Sequence, residues 1–440
     1  MKNPAGSASP TGPAGAPADA EALIRRRRAL LGASYRLFYE RPVHLVRGQD
    51  VWLYDADGKR YLDAYNNVPC VGHCHPRVVE AVARQMAVLN THTRYLHETV
   101  LDYSERLLAT YPDAFGHVMY TCTGSEAVDL ALRIARHHTG GTGIVITANA
   151  YHGTTALTAG LSPSLGPNVP LGRDVWTVPA PDAYRQPGID VGAKLAADIQ
   201  AACADMRRHG VVPAAFVADG IFSTDGTLAE PAGFLRPALE AVHAEGALYI
   251  ADEVQPGFGR TGAGLWGFAR HGIVPDMAVM GKPMGNGLPI AGVALRPEVA
   301  ERFGREVRYF NTFGANHASL AAAGAVLDII EAGGLVANAA ARGAQMMAGM
   351  RRLMERHAAI GDVRGAGLFL GLELVSDRAA RTPDPVMARR LVNLMREDGV
   401  LISASGPYDN VLKIRPPLTF AAEHAELFLG ALDEALGRLS

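Results

Sequence analysis

The chain is poor in the features that mark several common classes of protein. Its 4 cysteines, Cys70, Cys74, Cys122 and Cys203, show no framework spacing among 440 residues, which excludes a disulfide-stapled scaffold and favours a reducing compartment. No apolar run approaches the roughly 18 residues that span a bilayer. Lys and Arg number 42 against 44 Asp and Glu, so the basic excess that nucleic acid or an anionic membrane requires is missing. We therefore expect a cytoplasmic protein without nucleic-acid or membrane partners.

What the chain does have is the length for a large core. At roughly 150 residues per unit, 440 residues predict two or three structural units, and 48% hydrophobic with 20% charged residues is typical of a soluble globular protein. Residues 1–20 are mostly Ala, Gly, Pro, Ser and Thr, which predicts a disordered tail. The basic run at residues 25–28 favours the solvated face of an N-terminal helix, with a mitochondrial presequence as the alternative.

The order of apolar runs and turns predicts an α/β fold. A hairpin is expected where residues 51–53 and 60–62 flank the turn at 55–58. From about residue 75, helical patterns alternate with short β-rich runs, which indicates crossover connections and a mainly parallel, buried sheet. Beyond residue 318, two helices and strands near 368–374 and 411–414 predict a second α/β unit. The β-rich runs are 144–147, 175–178, 215–217, 248–251, 277–280 and 290–294.

Polar residues follow the carboxyl ends of these strands, and α/β proteins bind their ligands at those ends. The stretch 120–127 places hydroxyl groups at the start of a helix, which suits either a phosphate or ordinary N-capping. The run 248–255 ends in Asp252 and Glu253. A buried carboxylate there needs a cationic partner, and a metal-binding aspartate is disfavoured because the chain has no Gly-x-x-x-x-Gly-Lys-Ser/Thr phosphate loop.

Two further strand ends carry a lysine and an aromatic ring. Lys282 follows the run 277–280 and lies among glycines, which suits a desolvated, nucleophilic amine or an ordinary surface lysine. Tyr151, beside His152 and Gly153, follows another strand and is suited to lie flat on a planar ligand. A phosphate cradle, an aromatic plate, a buried carboxylate and one lysine are together what pyridoxal phosphate requires.

With these residues identified, the sequence resembles the class III aminotransferases, which are fold-type I pyridoxal-phosphate enzymes, from about Tyr35 onward. The resemblance implies a large domain of residues 75–320 with a mostly parallel seven-stranded sheet. It also implies a small α/β domain made from residues 21–74 and 321–440, with the active site between the two. The motifs that carry the resemblance are residues 72–76, 123–127, 151–153, 252–255, 259–262, 281–282 and 310–314.

The resemblance also implies a role for each matching residue. Lys282 forms the Schiff base with pyridoxal phosphate and serves as general acid and base, while Asp252 pairs with the pyridine nitrogen. Gln255 hydrogen-bonds the ring phenolate. The other implied cofactor contacts are Gly124 and Ser125 at the phosphate, Val254 and Tyr151 on the two ring faces, His152 beside them, and Thr312 from the neighbouring subunit. The last contact implies an obligate homodimer, with pairing into tetramers left open.

A cluster of metal-ligand residue types precedes these motifs. Cys70, His73, Cys74 and His75 have suitable side chains, but no second cluster completes a four-ligand site. In the family that the sequence resembles, this motif is structural, so no metal is expected.

Two departures from the family concern the reaction. In many members an arginine binds the carboxylate of a keto acid, and this chain has Lys413 at that position, with Arg415 close by. In some members a glutamate screens that arginine, and this chain has Thr224 in its place. Because lysine is a point charge rather than a bidentate fork, carboxylate recognition is expected to be looser. The candidate substrate contacts are Asn66, Asn67, Arg94, Lys413 and Arg415.

Several phrases are similar to the branch that contains the ethanolamine-phosphate and hydroxylysine-phosphate phospho-lyases, which expel phosphate by β-elimination without a keto acid. Leu288 and residues 315–317 depart from that branch. The sequence therefore favours a transaminase that moves an amino group from an amine or amino acid to a keto acid or aldehyde. The alternative is a phospho-lyase acting on an amino-alcohol phosphate such as O-phosphoethanolamine. A non-catalytic or nucleotide-binding protein is disfavoured, because Gly-x-Gly-x-x-Gly after a first strand is missing.

Overall fold

The computed structural model describes residues 20–439. The tail predicted over residues 1–20 lies outside the described residues except for Ala20, which begins the first helix. The α-helices, α1 to α12 in chain order, are Ala20–Leu31, Pro76–Met86, Glu98–Leu108, Gly124–Thr139, Ala156–Ala159, Val191–Arg208, Leu235–Ala244, Pro297–Glu306, His317–Ala332, Leu335–Arg356, Pro385–Glu397 and Ala422–Gly437.

The strands, β1 to β16, form three sheets. They are Leu45–Gln49, Trp52–Asp55, Arg60–Asp63, His117–Thr121, Gly143–Thr147, Val175–Val178, Pro213–Ala218, Leu248–Asp252, Met277–Met280, Ala291–Leu295, Ile360–Ala366, Phe369–Asp377, Thr382–Pro383, Val400–Leu401, Ser403–Ser405 and Val411–Ile414. Short 3-10 turns occupy Pro163–Leu165, Gly267–His271 and Lys282–Gly285.

A seven-stranded sheet forms the centre of the molecule. Its strand order is β4-β10-β9-β8-β7-β5-β6. Strand β10 pairs antiparallel with both β4 and β9, whereas the remaining pairings are parallel, so β10 alone among these seven strands runs in reverse. The expectation of a mostly parallel seven-stranded sheet is confirmed.

Helices cover both faces of this sheet. Side chains alternate across a strand, and along β5 Ile144 and Ile146 enter the core cluster that contains the apolar face of α4. Val145 between them enters the cluster that contains Leu195 and Ile199 of α6. Because both faces are buried, these strands are continuous apolar runs rather than alternating ones.

The direction of the strands brings the functional segments to one edge. Strands β4, β5, β7, β8 and β9 run the same way, so the residues that follow them lie side by side at their carboxyl ends. Those segments begin at residues 122, 148, 219, 253 and 281.

The other sheets join distant parts of the chain. The expected hairpin is confirmed as β2 and β3, and β3 pairs in parallel with β14 to give the order β1-β2-β3-β14. A five-stranded sheet has the order β11-β12-β16-β15, with β13 beside β12. The division into a large domain of residues 75–320 and a small domain from both chain ends stays a prediction.

Within residues 20–439, no single helix is both long and apolar enough to cross a membrane. Only α9 and α10 taken together, bent by 63° at their junction, have the length and composition for such a span.

Candidate active site

A cavity of about 320 Å³ opens at the carboxyl ends of the parallel strands. It gathers the residues that the sequence singled out for the cofactor, with the exception of Thr312. These lining residues are Gly124, Ser125, Tyr151, His152, Asp252, Val254, Gln255 and Lys282.

Asp252, the last residue of β8, supplies a carboxylate at the cavity. The residue is 4% exposed, its Oδ2 lies 2.8 Å from His152 Nδ1, and its Oδ1 accepts a hydrogen bond from the Val254 backbone N–H at 3.1 Å. His152 is itself buried, and its Nε2 has no hydrogen-bond partner among residues 20–439. A carboxylate fixed in this way has lone pairs left to accept a bond from a cationic ring N–H.

Lys282 places an amine in the same cavity. It begins the 3-10 turn that follows β9, and within residues 20–439 its Nζ has no hydrogen-bond or ion-pair partner. Burial and, to a smaller extent, the charge of Arg415 lower the pKa of Lys282 to about 8, while Asp252 and Asp219 oppose the shift. An amine with this pKa is in part neutral near pH 7, as a nucleophile and proton acceptor must be.

The start of α4 forms an anion cradle. Thr123 caps the helix: its Oγ1 accepts the Glu126 N–H, and Glu126 Oε2 accepts the Thr123 N–H. The N–H groups of Gly124 and Ser125 belong to the first turn and have no carbonyl partner inside the helix. They are therefore available, together with the helix dipole, to a phosphate.

Glycine at position 153 allows close approach to this cradle. Gly153 has φ +138°, and a Cβ there would lie 2.5 Å from Ser125 Oγ and 2.7 Å from Thr158 Oγ1. Any larger residue would push the serine hydroxyl out of the cradle. The glycine at position 153 is thus explained by space as well as by backbone angle.

Gln255 joins the cavity to a second layer of polar groups. Its Oε1 accepts hydrogen bonds from Asn67 Nδ2 at 2.8 Å and from Arg415 Nη1 at 2.5 Å. Because the carbonyl oxygen is used in this way, the amide NH₂ of Gln255 is the end left to donate toward a ligand. The guanidinium of Arg415 also lies 4.4 Å from the ring centroid of Tyr65.

Lys413 is a buried cation without a paired anion. It is 5% exposed, its Nζ lies 5.6 Å from the ring centroid of Phe369, and no hydrogen bond or ion pair reaches it from residues 20–439. Burial holds the pKa of Lys413 well below its usual value, with a further decrease from Arg415, while Asp219 and Asp225 oppose it. An uncompensated buried cation is costly unless a ligand supplies the anion.

Arg94, Thr312 and Asn66, like Asn67, Lys413 and Arg415, do not line the cavity of their own chain. Arg94 is exposed, with its guanidinium 3.7 Å from the ring centroid of Phe310, and Thr312 is exposed as well. Asn66 closes a turn, since its Oδ1 accepts the Val68 N–H at 3.1 Å. Their roles at the substrate or cofactor stay predictions.

The cavity also has an apolar wall that sequence reasoning did not identify. Val68, Leu288, Pro289 and Ile290 line it, as does Cys122. Leu288 departs from the pattern of the phospho-lyase branch, but only the fold shows that it lines the cavity. For Leu288, Pro289 and Ile290, the position shortly after Lys282 was the available signal.

The cluster at residues 70–75 has structural contacts. Cys70 Sγ bonds Pro283 O at 3.2 Å, His73 Nε2 lies 2.7 Å from Asp63 Oδ2, and His75 caps α2. In the described part of the chain, no group of three His, Cys, Asp or Glu side chains is placed to hold a metal ion.

The sheet topology, with an aspartate ending β8 and a lysine after β9, defines a pyridoxal-phosphate enzyme of fold type I. The family model of the class III aminotransferases matches residues 38–436, and the chain belongs to that family. Pyridoxal phosphate fits the residues present, because the site offers a helix-terminal anion cradle, a buried acceptor for a pyridinium N–H, and an amine.

Several relatives are similar over nearly the whole chain. A Drosophila melanogaster protein named alanine–glyoxylate aminotransferase 2-like is 40% identical over 94% of this chain and 86% of its own length. Ethanolamine-phosphate phospho-lyase homolog 1 of Caenorhabditis elegans is 35% identical over 94% and 93%. The solved structure of an Arthrobacter phospholyase in complex with phosphoethanolamine is 43% identical, with a TM-score of 0.92, over 95% of this chain and 100% of that one. The chain is thus a cofactor-dependent enzyme with small-molecule substrates, and both transaminase and phospho-lyase chemistry fit its relatives.

Proposed function

We propose that the protein is a transaminase that moves an amino group from an amine or amino acid to a keto acid or aldehyde. The observation that carries this proposal is the lining of the cavity beside Lys282. Val68, Leu288, Pro289 and Ile290 form an apolar wall, and among the described lining residues Lys282 is the one cation. Such a wall suits the carbon skeleton of an amine better than it suits a phosphate group.

Bound pyridoxal phosphate supplies an electron sink for the bond broken at the substrate carbon. In this proposal Lys282 holds the cofactor and then, once released by substrate, accepts and returns a proton at Nζ; its pKa of about 8 suits both directions near neutral pH. Asp252 accepts the ring N–H and keeps it protonated, while His152 fixes the orientation of that carboxylate.

The remaining predicted contacts position the cofactor. Gly124 and Ser125 donate backbone N–H groups and a hydroxyl to its phosphate. Gln255 donates its amide N–H to the ring oxygen. This N–H is free because the bonds from Asn67 and Arg415 are both accepted by the Gln255 carbonyl oxygen. Tyr151 and Val254 pack on the two faces of the ring.

Phosphate elimination is the second candidate reaction, and it is favoured by the burial of Lys413 without a paired anion. Lys413 and Arg415 are two buried cations close to Lys282, and no carboxylate pairs with either within residues 20–439. A dianionic phosphate monoester would compensate both charges. The similarity to a phospholyase solved with phosphoethanolamine supports the same candidate.

One experiment separates the two reactions. The cofactor spectrum and free phosphate are followed while O-phosphoethanolamine, 5-phosphohydroxylysine, plain amines and amino acids are added without a keto acid. A transaminase gives one stoichiometric spectral change per site and releases no phosphate. Many turnovers of phosphate release, with the starting spectrum restored, would replace the first proposal by the second.

Lys413 should decide how well anionic substrates bind. We expect Lys413→Met to lower kcat/KM for an acidic or phosphorylated donor by about tenfold or more, because a hydrogen-bonded charge pair is lost. The loss for a neutral amine should be several-fold smaller. Lys194→Met, which removes an exposed lysine paired with Asp198, is the matched control. Equal losses for charged and neutral donors would contradict an anion-binding role.

We further propose that the enzyme is a homodimer in which Thr312 reaches the cofactor phosphate of the partner. Thr312 and Arg94 are exposed beside the apolar side chains of Leu96, Phe310 and Phe313, a patch typical of protein interfaces. Light scattering on the purified protein distinguishes monomer, dimer and tetramer.

We also propose a cytoplasmic location and domain boundaries at residues 75 and 320. Relatives in Arabidopsis thaliana and Homo sapiens have mitochondrial in their names, so cell fractionation has to decide the location.

A further inference from the structure

Asp225 is a buried carboxylate near the cavity to which the proposed function gives no role. It lies in the loop 219–227 that follows β7, and it is 6% exposed. Asp219 closes this loop on itself, because its carboxylate accepts the Ile221 N–H at 3.0 Å and the Ser223 Oγ–H at 2.7 Å. Asp225 is not needed for that closure, so its burial has to be explained by contacts elsewhere.

The carboxylate of Asp225 bonds the neighbouring strand. Its Oδ2 accepts a hydrogen bond from Thr147 Oγ1 at 2.7 Å, and its Oδ1 accepts one from the Asn149 backbone N–H at 3.0 Å. The Asn149 side chain donates a third bond in the same direction, from Nδ2 to Thr224 O at 2.6 Å. Three hydrogen bonds therefore tie the loop 219–227 to the end of β5.

These bonds fix the start of the segment 148–153, which carries Tyr151 and His152 into the cavity. The far end of the segment is fixed by Ser162, whose Oγ accepts the His152 N–H at 2.8 Å. The segment is thus anchored on both sides of Tyr151. His152, whose backbone N–H makes the second anchor, places its ring nitrogen Nδ1 2.8 Å from Asp252 Oδ2.

Asp225 is also within electrostatic range of His152. The pKa of Asp225 is raised to about 7, chiefly by burial and further by the charge of Asp219, while the bond from Thr147 and the charge of His152 oppose the shift. Lys413 faces the same region, since the charge of Asp225 acts to raise the pKa of Lys413. The carboxylate therefore influences the site by charge as well as by hydrogen bonds.

We propose that Asp225 is a positioning residue, which acts through Thr147 and Asn149 to hold Tyr151 and His152 against the cofactor. The inference rests on the proposed function, because it assumes that these two side chains contact the ring and Asp252. It predicts that loss of Asp225 makes two side chains less well held at the same time: Tyr151 on one face of the cofactor ring, and His152, which contacts Asp252.

The test compares Asp225→Ala, Asp225→Asn and the wild type. In Asp225→Ala we expect the Kd of pyridoxal phosphate for the apo-protein to rise about tenfold or more, because the two hydrogen bonds that the Asp225 carboxyl group accepts are lost. The visible circular dichroism of the bound cofactor should decrease, and kcat at saturating cofactor should fall with the KM of the amine donor unchanged. Asp225→Asn keeps the shape and one acceptor, so it should restore most of the binding.

Asp276→Asn is the matched control, since Asp276 is a buried aspartate that bonds His243 Nε2 and the Tyr249 N–H near the opposite end of β8. It should lower the melting temperature and leave the cofactor Kd unchanged. If Asp225→Ala does not fold, Thr147→Val removes one of the two bonds and should raise the Kd in the same direction. Wild-type Kd and dichroism in Asp225→Ala, or equal cofactor loss in Asp276→Asn, would overturn the inference. The binding readout is independent of which reaction the wild type catalyses, so failure of the proposed function is seen separately.

Discussion

Replacing Lys282 with alanine is expected to lower turnover by at least about 10³-fold, since one amine serves as covalent anchor and as proton carrier. Treatment of the holoenzyme with borohydride, followed by peptide mass spectrometry, should find the cofactor on Lys282 in the wild type and on no residue in the variant. Lys194→Ala is the control for loss of a lysine at an exposed site. Cofactor attached to another lysine, or turnover retained in Lys282→Ala, would contradict the assignment.

The pKa of Lys282 gives the same prediction a pH dependence. Only the neutral amine attacks the cofactor aldehyde, and burial together with Arg415 lowers the pKa of Lys282 to about 8. The rate at which the apo-protein captures pyridoxal phosphate should therefore rise with pH and level off above about pH 8. Below that value it should fall by about tenfold per pH unit. A rate that kept rising to pH 10 would indicate an ordinary solvated lysine.

Asp252→Asn is expected to lower kcat by about 10²–10³-fold at saturating cofactor, because a neutral amide does not keep the pyridine nitrogen protonated. The amide retains the size of the side chain, and its oxygen can still accept from His152 or Val254. The fold should therefore survive. Thermal melting of the apo-protein beside steady-state kinetics separates the chemical effect from a structural one.

The buried Asp276 again supplies the control for this variant. Asp276→Asn should cost stability and leave kcat within about twofold, because the residue is remote from the cavity. If both variants lost activity in proportion to their melting temperatures, the special role of Asp252 would be disproved.

The central strands could be predicted from the sequence, whereas several others, among them β4 and β11, could not. Parallel strands covered on both faces are continuous apolar runs, so 144–147 and 248–251 were recognisable. Strand β4, His117–Thr121, was not predicted, and it is only partly buried. Strand β11, Ile360–Ala366, was missed because it contains a charged residue, Arg364, that becomes tolerable only when it pairs with Glu373 at 2.7 Å.

Within the site, too, some residues could be predicted from the sequence and some contacts could not. The cradle of α4 and the turn 151–153 are local motifs, so their residues could be identified from the sequence. The bond between Asn67 and Gln255 joins residues 188 positions apart, and that between Arg415 and Gln255 joins residues 160 apart. Contacts of this kind depend on how the chain closes, which no short pattern encodes. The bonds of Asp225 to the strand next to its own belong to the same class.

The pairing of β3 with β14 has a consequence for the order of events during synthesis. Close to this pair, Lys59 Nζ bonds Glu397 O across 338 residues of sequence. The hairpin β2–β3 is made first and must wait, with one edge of β3 unpaired, until residues 400 and 401 have left the ribosome. Because Asn67 and Arg415 meet at Gln255 only after that closure, the pocket is completed among the last steps of folding. A nascent chain halted before residue 400 would therefore carry Lys282 without Arg415, whose charge helps to lower the pKa of that lysine.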